Sequence, residues 1–136
     1  MPSSPSGRQR LRVAIVSRNA GTLGGLETYL QRAGVTTSGT RQIERSAEVA
    51  SGVSAVVVFP DDFDWEAVVP ALTACMRSSP RALPVVVTSA PQRFESLVWP
   101  DDSALPLVIP KPAWGWTILD VIRAHLNGPT GSENAP

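Results

Sequence analysis

Two uninterrupted runs of valine constrain the fold of this chain more than any other feature of its sequence. The runs are Val56-Val57-Val58 and Val85-Val86-Val87, and they lie in short apolar segments at residues 53–59 and 83–88. A strand with one face in water alternates apolar and polar residues, whereas a strand covered on both faces by helices is apolar throughout. The two runs therefore predict central strands of a parallel sheet that has helices on both faces.

Further apolar segments alternate with stretches of helical character, which predicts a strand–helix repeat. Strands are also predicted at residues 11–16, 35–40 and 105–109, and helices at residues 22–33, 44–51, 64–76, 91–99 and 117–127. Because crossovers between parallel strands are right-handed, this order predicts an α/β fold with a doubly wound five-stranded parallel sheet, arranged as a three-layer sandwich. Its functional loops are expected at the carboxyl ends of the strands.

Local patterns predict where two of the helices begin and end. Asp64 is expected to cap the third helix, in which Pro70 must introduce a kink or mark the real start. Thr117 and Asp120 resemble a capping box that opens the last helix, and Asn127-Gly128 is expected to end it.

Length and composition favour one intracellular domain. The 136 residues suit a single domain, predicted at residues 11–126 between disordered tails at 1–10 and 127–136 that are rich in Pro, Ser, Gly and Asn. Twelve basic residues balance twelve acidic ones, so neither nucleic acid nor a membrane surface is expected as a partner. No apolar run approaches the roughly 20 residues of a membrane span, and no secretion signal is recognisable, which predicts a cytoplasmic protein.

The sequence contains no constellation of residues typical of an enzyme. Cys75 is the single cysteine, so neither an intramolecular disulfide nor a cysteine-based metal site is expected, and its apolar surroundings predict a buried side chain. No nucleophile–base pair, paired acids or metal-ligand cluster is apparent. We therefore expect no catalytic residues, no metal and no cofactor.

The ends of the fourth and fifth predicted strands carry short motifs. Residues Thr88-Ser89-Ala90 follow the second valine run, and Ile109-Pro110-Lys111-Pro112 ends the last strand. Together with the five-fold alternation, these motifs resemble the receiver domain of bacterial response regulators over residues 11–126. The resemblance implies a flavodoxin-like (βα)5 fold and a role in two-component signal transduction. It also implies that Thr88 and Lys111 stand where a receiver binds the oxygens of a phosphoryl group.

The chain departs from the receiver pattern at three places. Receivers have an acidic pair at the end of the first strand, where this chain has Ser17 and Arg18. Their phosphate-accepting aspartate ends the third strand, and Phe59, or alternatively Pro60, takes that place. Their aromatic switch residue, three positions before the lysine, is replaced by Val108. These departures predict a pseudo-receiver with a degenerate pocket that cannot be phosphorylated.

Two alternatives remain open for the charged residues near this pocket. Asp61 and Asp62 either belong to a solvated loop, or one of them turns inward and rebuilds an acidic site. Lys111 either keeps a structural place by pairing with Asp61 or Asp62, or forms a cationic pocket for an anion together with Arg18.

The tryptophans provide a candidate interaction surface. Trp99, Trp114 and Trp116 fall around the fourth helix and the start of the fifth. In receivers, the face made by the fourth helix, fifth strand and fifth helix is the usual partner and dimer surface, and aromatic anchors are favoured at interfaces. The alternative is that these side chains cover the core beneath long loops.

Two functions follow from these features. The leading hypothesis is a stand-alone, phosphorylation-independent protein-interaction module in bacterial signalling or regulation. Its partner would be a kinase, a transcription factor or a motility or developmental regulator, and a homodimer is equally compatible. The alternative is a sensor that binds a small anionic ligand in the strand-end crevice near Arg18 and Lys111.

Overall fold

The valine runs form the middle of a parallel sheet. The structure is a computed structural model that describes residues 11–97 and 105–134, with side chains described as far as Leu126. Within these residues the strands are β1 (Arg12–Ser17), β2 (Thr36–Thr40), β3 (Ala55–Phe59), β4 (Leu83–Thr88) and β5 (Leu107–Pro110). All neighbouring pairs are parallel, and the five strands lie in the order β2-β1-β3-β4-β5. The doubly wound α/β prediction is confirmed.

Helices cover both faces of the sheet. The described residues form α1 (Ala20–Arg32), α2 (Ser46–Val49), α3 (Trp65–Ser78), α4 (Gln92–Glu95) and α5 (Gly115–Asn134), with 3-10 turns at Ile43–Arg45 and Pro60–Asp62. One core cluster joins α1 and α5 to the sheet, and a second joins α2, α3 and α4 to its opposite face. None of the described helices is both long and apolar enough to cross a bilayer.

Burial on both faces explains why the central strands are apolar throughout. All residues of β3 and β4 are buried, and Thr88 is the single polar residue among them. Val57 packs on the α1 and α5 side, whereas its neighbours Val56 and Val58 pack on the other side. Each fully buried valine contributes about 1.5–3 kcal/mol relative to an exposed one, so a polar residue in either layer would be costly.

The third helix lacks the capping hydrogen bond that was predicted for Asp64. Asp64 occupies the N-cap position of α3 with an extended backbone, but its side chain accepts no capping hydrogen bond. Pro70 lies inside α3 and does not mark the start, which is Trp65. Proline here removes one donor, the N–H that would reach the Glu66 carbonyl, and the remaining turns are held by packing against the sheet.

The last helix starts earlier and ends later than predicted. Its first hydrogen bond runs from the Ile118 N–H to the Trp114 carbonyl at 3.0 Å, so the capping-box prediction for Thr117 is wrong. The backbone remains helical to Asn134, past the predicted end at Asn127-Gly128 and into the segment predicted as a tail at residues 127–136. A glycine ends a helix only where its backbone turns into the left-handed region, and Gly128 keeps the helical conformation. The other predicted tail, residues 1–10, lies outside the described residues.

Cys75 is a core residue, as predicted. Its side chain is buried in the cluster beneath α2 and α3, and this burial raises the pKa of the thiol to about 11. The thiol is therefore protonated at neutral pH and unsuited to nucleophilic chemistry.

Two leucines in different environments test this account of the core. Leu30 is fully buried between α1 and the sheet, whereas Leu126 on α5 is 38% exposed. We expect Leu30→Ala to lower the free energy of unfolding by about 2–5 kcal/mol, because it leaves a cavity in the core. Leu126→Ala makes the same chemical change and should cost less than about 1 kcal/mol. Urea denaturation measures both, and equal losses would contradict the assigned core.

Candidate functional site at the carboxyl edge of the sheet

The register of the sheet brings the predicted pocket residues to one edge. Ser17, at the end of β1, lies opposite Phe59, at the end of β3. Thr88, at the end of β4, lies opposite Pro110, and Lys111 follows directly. Because parallel strands end at the same edge, residues that are far apart in sequence meet here.

Asp61 turns inward from the loop that follows β3. The 3-10 turn Pro60–Asp62 carries its carboxylate to the end of β4. The Thr88 hydroxyl donates to Asp61 Oδ1 at 2.6 Å. The Ser89 N–H and hydroxyl both donate to Oδ2 at 2.9 Å, and Lys111 Nζ lies 3.2 Å from the same oxygen. One carboxylate therefore binds donors from two neighbouring strand ends.

These contacts set the charge state of Asp61. Its side chain is 24% exposed, and partial burial raises the pKa of its carboxyl group. Hydrogen bonds from Thr88, Ser89 and Lys111 together act more strongly in the opposite direction, and the pKa is lowered to about 2. Asp61 is thus ionised at neutral pH, and the predicted pairing of Lys111 with Asp61 is confirmed.

The Thr88 hydroxyl group both donates and accepts a hydrogen bond. The residue is 1% exposed, and its hydroxyl accepts a hydrogen bond from the Ala90 N–H at 3.0 Å while donating to Asp61. Every buried side-chain nitrogen or oxygen atom in the described part of the chain has a hydrogen-bond partner. Sequence reasoning identified Thr88 but missed Ser89, whose only signal was its place directly after the threonine.

The end of β1 supplies neutral or cationic groups. Ser17 is buried, and its hydroxyl donates to the Asn19 carbonyl and accepts from the Asn19 N–H, each at 3.3 Å. The Asn19 side chain caps α1 by accepting from the Thr22 N–H at 2.9 Å. Arg18 is exposed, and its carbonyl accepts a hydrogen bond from Arg41 Nε at 3.0 Å. The Ser17 and Asn19 side chains bind the local backbone, and none of these residues provides a carboxylate.

The other three predicted pocket residues are apolar. Phe59 is 8% exposed and packs with α1 and α5. Val108 is partly buried against the cluster of α3 and α4. Pro60 begins the 3-10 turn and is buried. None of the three presents a polar side-chain atom to the edge.

Arg18 and Lys111 line different crevices. One crevice is lined by Ser17, Phe59, Asp62, Lys111 and neighbouring residues, and the next, more open one by Arg18, Asn19, Arg41 and Asp62 with the start of α1. Asp62 contributes to both crevices. Neither of these two crevices is lined by both Arg18 and Lys111.

An aromatic groove adjoins the first crevice. The rings of Trp114 and Trp116 are stacked 5.4 Å apart with 7° between their planes, and the side chains are 59% and 54% exposed. With Tyr29 and Leu26 of α1 they line a cavity of about 200 Å³, named here the aromatic groove. The structure places this pair beside α1, whereas the resemblance pointed to the face of α4, β5 and α5. Trp99 lies outside the described residues.

Gly115 explains the position of the two tryptophans. A Cβ atom at this residue would lie 2.9 Å from two ring atoms of Tyr29, closer than real contacts allow. Only glycine permits the start of α5 to approach α1 this closely, and the approach carries both indoles to the α1 side.

The low pKa of Asp61 predicts a pH dependence of stability. The folded-state pKa, about 2, lies below the ordinary 3.8, so the stabilising contribution is complete above about pH 4 and lost as the pH falls toward 2. Asp61→Asn should lower the free energy of unfolding at pH 7 by about 1–3 kcal/mol and flatten this decline. Asp62→Asn is the matched control and should leave the wild-type profile in place. Denaturation series at several pH values measure all three, and parallel profiles for Asp61→Asn and wild type would contradict the assignment.

Comparison with known proteins relates this arrangement to one fold. No family model and no curated protein matches the sequence. Solved structures do match: a response regulator receiver protein from Sinorhizobium medicae has a TM-score of 0.69 at 16% identity, covering 88% of this chain and 97% of that one. A CheY-like receiver domain from Methanospirillum hungatei has a TM-score of 0.69 at 14% identity, covering 91% and 99%. An orphan response regulator of Helicobacter pylori has a TM-score of 0.67 at 18% identity, covering 87% and 99%. The chain thus has the flavodoxin-like fold of response-regulator receiver domains.

Proposed function

We propose that this chain is a receiver-like interaction module that acts in bacterial signalling or regulation without being phosphorylated. The observation that carries the proposal is the placement of the Asp61 carboxylate. It uses the Thr88 hydroxyl and the Lys111 ammonium group, the two groups that the family resemblance assigns to phosphoryl binding. The Asp61 carboxylate thus takes the place that a phosphoryl group would occupy in a phosphorylated receiver.

The residues around the edge do not fit the magnesium ion that receivers use. Mg²⁺ favours an octahedral set of oxygen ligands that includes carboxylates. The end of β1 presents Ser17, which is hydrogen-bonded to Asn19, and the cationic Arg18. Asp61 is turned toward Lys111, and the described residues contain no group of three or more His, Cys, Asp or Glu side chains that could hold a metal.

Phosphoryl transfer lacks a suitable acceptor as well. Phe59 holds the aligned position and is packed into the core. For Asp61 to act as the nucleophile, its carboxylate would have to leave three hydrogen-bonding residues, and charge-assisted hydrogen bonds are among the strongest in proteins. With Val108 at the switch position, no aromatic ring is available there to report a change. These features favour a single, constitutive conformation.

The same geometry argues against hydrolytic or transferase activity. The Thr88 hydroxyl is the best placed nucleophile, and its partner is Asp61. A general base works best with a pKa near the operating pH, whereas the pKa of Asp61 is about 2. Asp61 therefore orients Thr88 without activating it, and we propose a binding role in place of catalysis. The partner would be a regulatory protein.

A second candidate, the sensing of a small anionic ligand, is supported by the open crevice that Arg18 and Arg41 line. Lys111 contributes little to the binding of an anionic ligand, because Asp61 neutralises its charge. If this function is correct, nucleotides or phosphorylated metabolites raise the melting temperature of the wild type and not of Arg18→Gln. The absence of any thermal shift would exclude it.

Beryllofluoride tests the primary proposal, because it mimics the phosphoryl group of an aspartyl phosphate. We expect amide NMR spectra of the chain to remain unchanged when Mg²⁺ and beryllofluoride are added. Incubation with acetyl phosphate should likewise add no phosphoryl mass. A phosphorylatable receiver domain treated in parallel provides the positive control. Saturable shifts clustered at Asp61, Thr88 and Lys111 would contradict the proposal.

A further inference from the structure

The aromatic groove exposes several large apolar side chains to solvent. Trp114 and Trp116 are more than half exposed, and Tyr29 beside them is 36% exposed. Single exposed apolar residues are common, but neighbouring aromatic side chains that line one concavity mark an interaction site. The cavity of about 200 Å³ can take one bulky aliphatic or aromatic side chain.

The groove is also pre-organised. The two indoles stack on each other, and the close approach of Gly115 to the Tyr29 ring fixes the start of α5 against α1. Rigid aromatic side chains bury large areas at a low entropic cost, because few rotamers are lost on binding. This arrangement suits a preformed pocket for an anchor residue.

A cationic rim lies at the same edge of the sheet, beyond the crevice of Lys111 and Asp62 that adjoins the groove. We define it by the exposed side chains of Arg18 and Arg41, neither of which forms an ion pair with any part of the described chain. The nearby amino termini of α1 and α5 carry no acidic residue in their first turns, so their positive dipole ends are not neutralised. Asp62 is the acid that lines this rim, whereas Asp61 is neutralised by Lys111.

We infer that the aromatic groove and the cationic rim together bind a short acidic segment of a partner protein. A bulky apolar side chain of that segment fills the groove between Tyr29 and the tryptophans, and its carboxylates face Arg18 and Arg41. Charge complementarity of this kind selects partners and speeds association. The inference rests on the proposed function, since it assigns the surface through which the module binds.

A second copy of the chain fits this surface less well. A two-fold dimer apposes the same patch from each subunit. Joining the aromatic grooves in this way would offer Arg18 and Arg41 no acidic partner from the opposite patch except Asp62, which already lines the rim. An acidic segment satisfies both features at once.

Selection from a displayed library of random short peptides tests the inference on the full chain. We expect the enriched peptides to combine one bulky apolar residue with several Asp or Glu residues. Trp116→Ala and the double variant Arg18→Gln/Arg41→Gln should each weaken the binding of an enriched peptide by about tenfold or more, the effect of losing a hot-spot contact. Raising the salt concentration should weaken binding to the wild type.

Two exposed residues of α5 outside the groove provide matched controls. Leu126→Ala removes an exposed apolar side chain, and Arg123→Gln removes an exposed positive charge. Both should bind the enriched peptide as tightly as the wild type. Circular dichroism of each variant separates a loss of contact from a loss of folding.

Several results would overturn the inference. These are enrichment of basic or uncharged peptides, equal binding to Trp116→Ala, the absence of any enrichment, or a concentration-dependent dimer that Trp116→Ala abolishes. The outcome is separable from that of the proposed function, because phosphorylation by acetyl phosphate is measured without any peptide. An unphosphorylated chain that binds no acidic peptide would refute this surface alone.

Discussion

The ion pair and hydrogen bonds of the Asp61 carboxylate are the interaction on which the carboxyl edge depends. They join the loop after β3 to Thr88 and Ser89 at the end of β4 and to Lys111 at the end of β5. Without them, the buried Thr88 hydroxyl group would lose the acceptor for its proton, which costs free energy. The valine-rich strands fix where these groups lie, and the carboxylate makes their proximity favourable.

The edge has two parts that differ in whether their side chains are already hydrogen-bonded within the chain. In the middle, donors from Thr88, Ser89 and Lys111 bind the Asp61 carboxylate. Around it, the stacked Trp114 and Trp116 and the exposed Arg18 remain available to solvent. The receiver fold therefore presents, in this chain, a hydrogen-bonded polar centre beside exposed aromatic and cationic side chains. Our proposal that the chain binds a partner, and is not phosphorylated, rests on this difference between the two parts of the edge.

The sequence was sufficient for the sheet but only partly for the site. Continuous apolar runs such as Val56-Val57-Val58 have one physical solution, burial on both faces, so the parallel sheet could be predicted from them. The direction of Asp61 could not be, because it depends on a 3-10 turn that the local sequence does not specify uniquely. The position of Trp116 depends on the tertiary approach of Gly115 to Tyr29, which leaves no periodic pattern in the sequence.

The most direct test of the central claim is a pH titration of the Asp61 carboxyl carbon by ¹³C NMR. If Thr88, Ser89 and Lys111 hold the carboxylate as described, the titration midpoint lies at about 2. The Asp62 carboxyl carbon, measured in the same spectra, serves as an internal comparison. A midpoint for Asp61 near the ordinary value of 3.8 would mean that the carboxylate is solvated, and it would contradict the account.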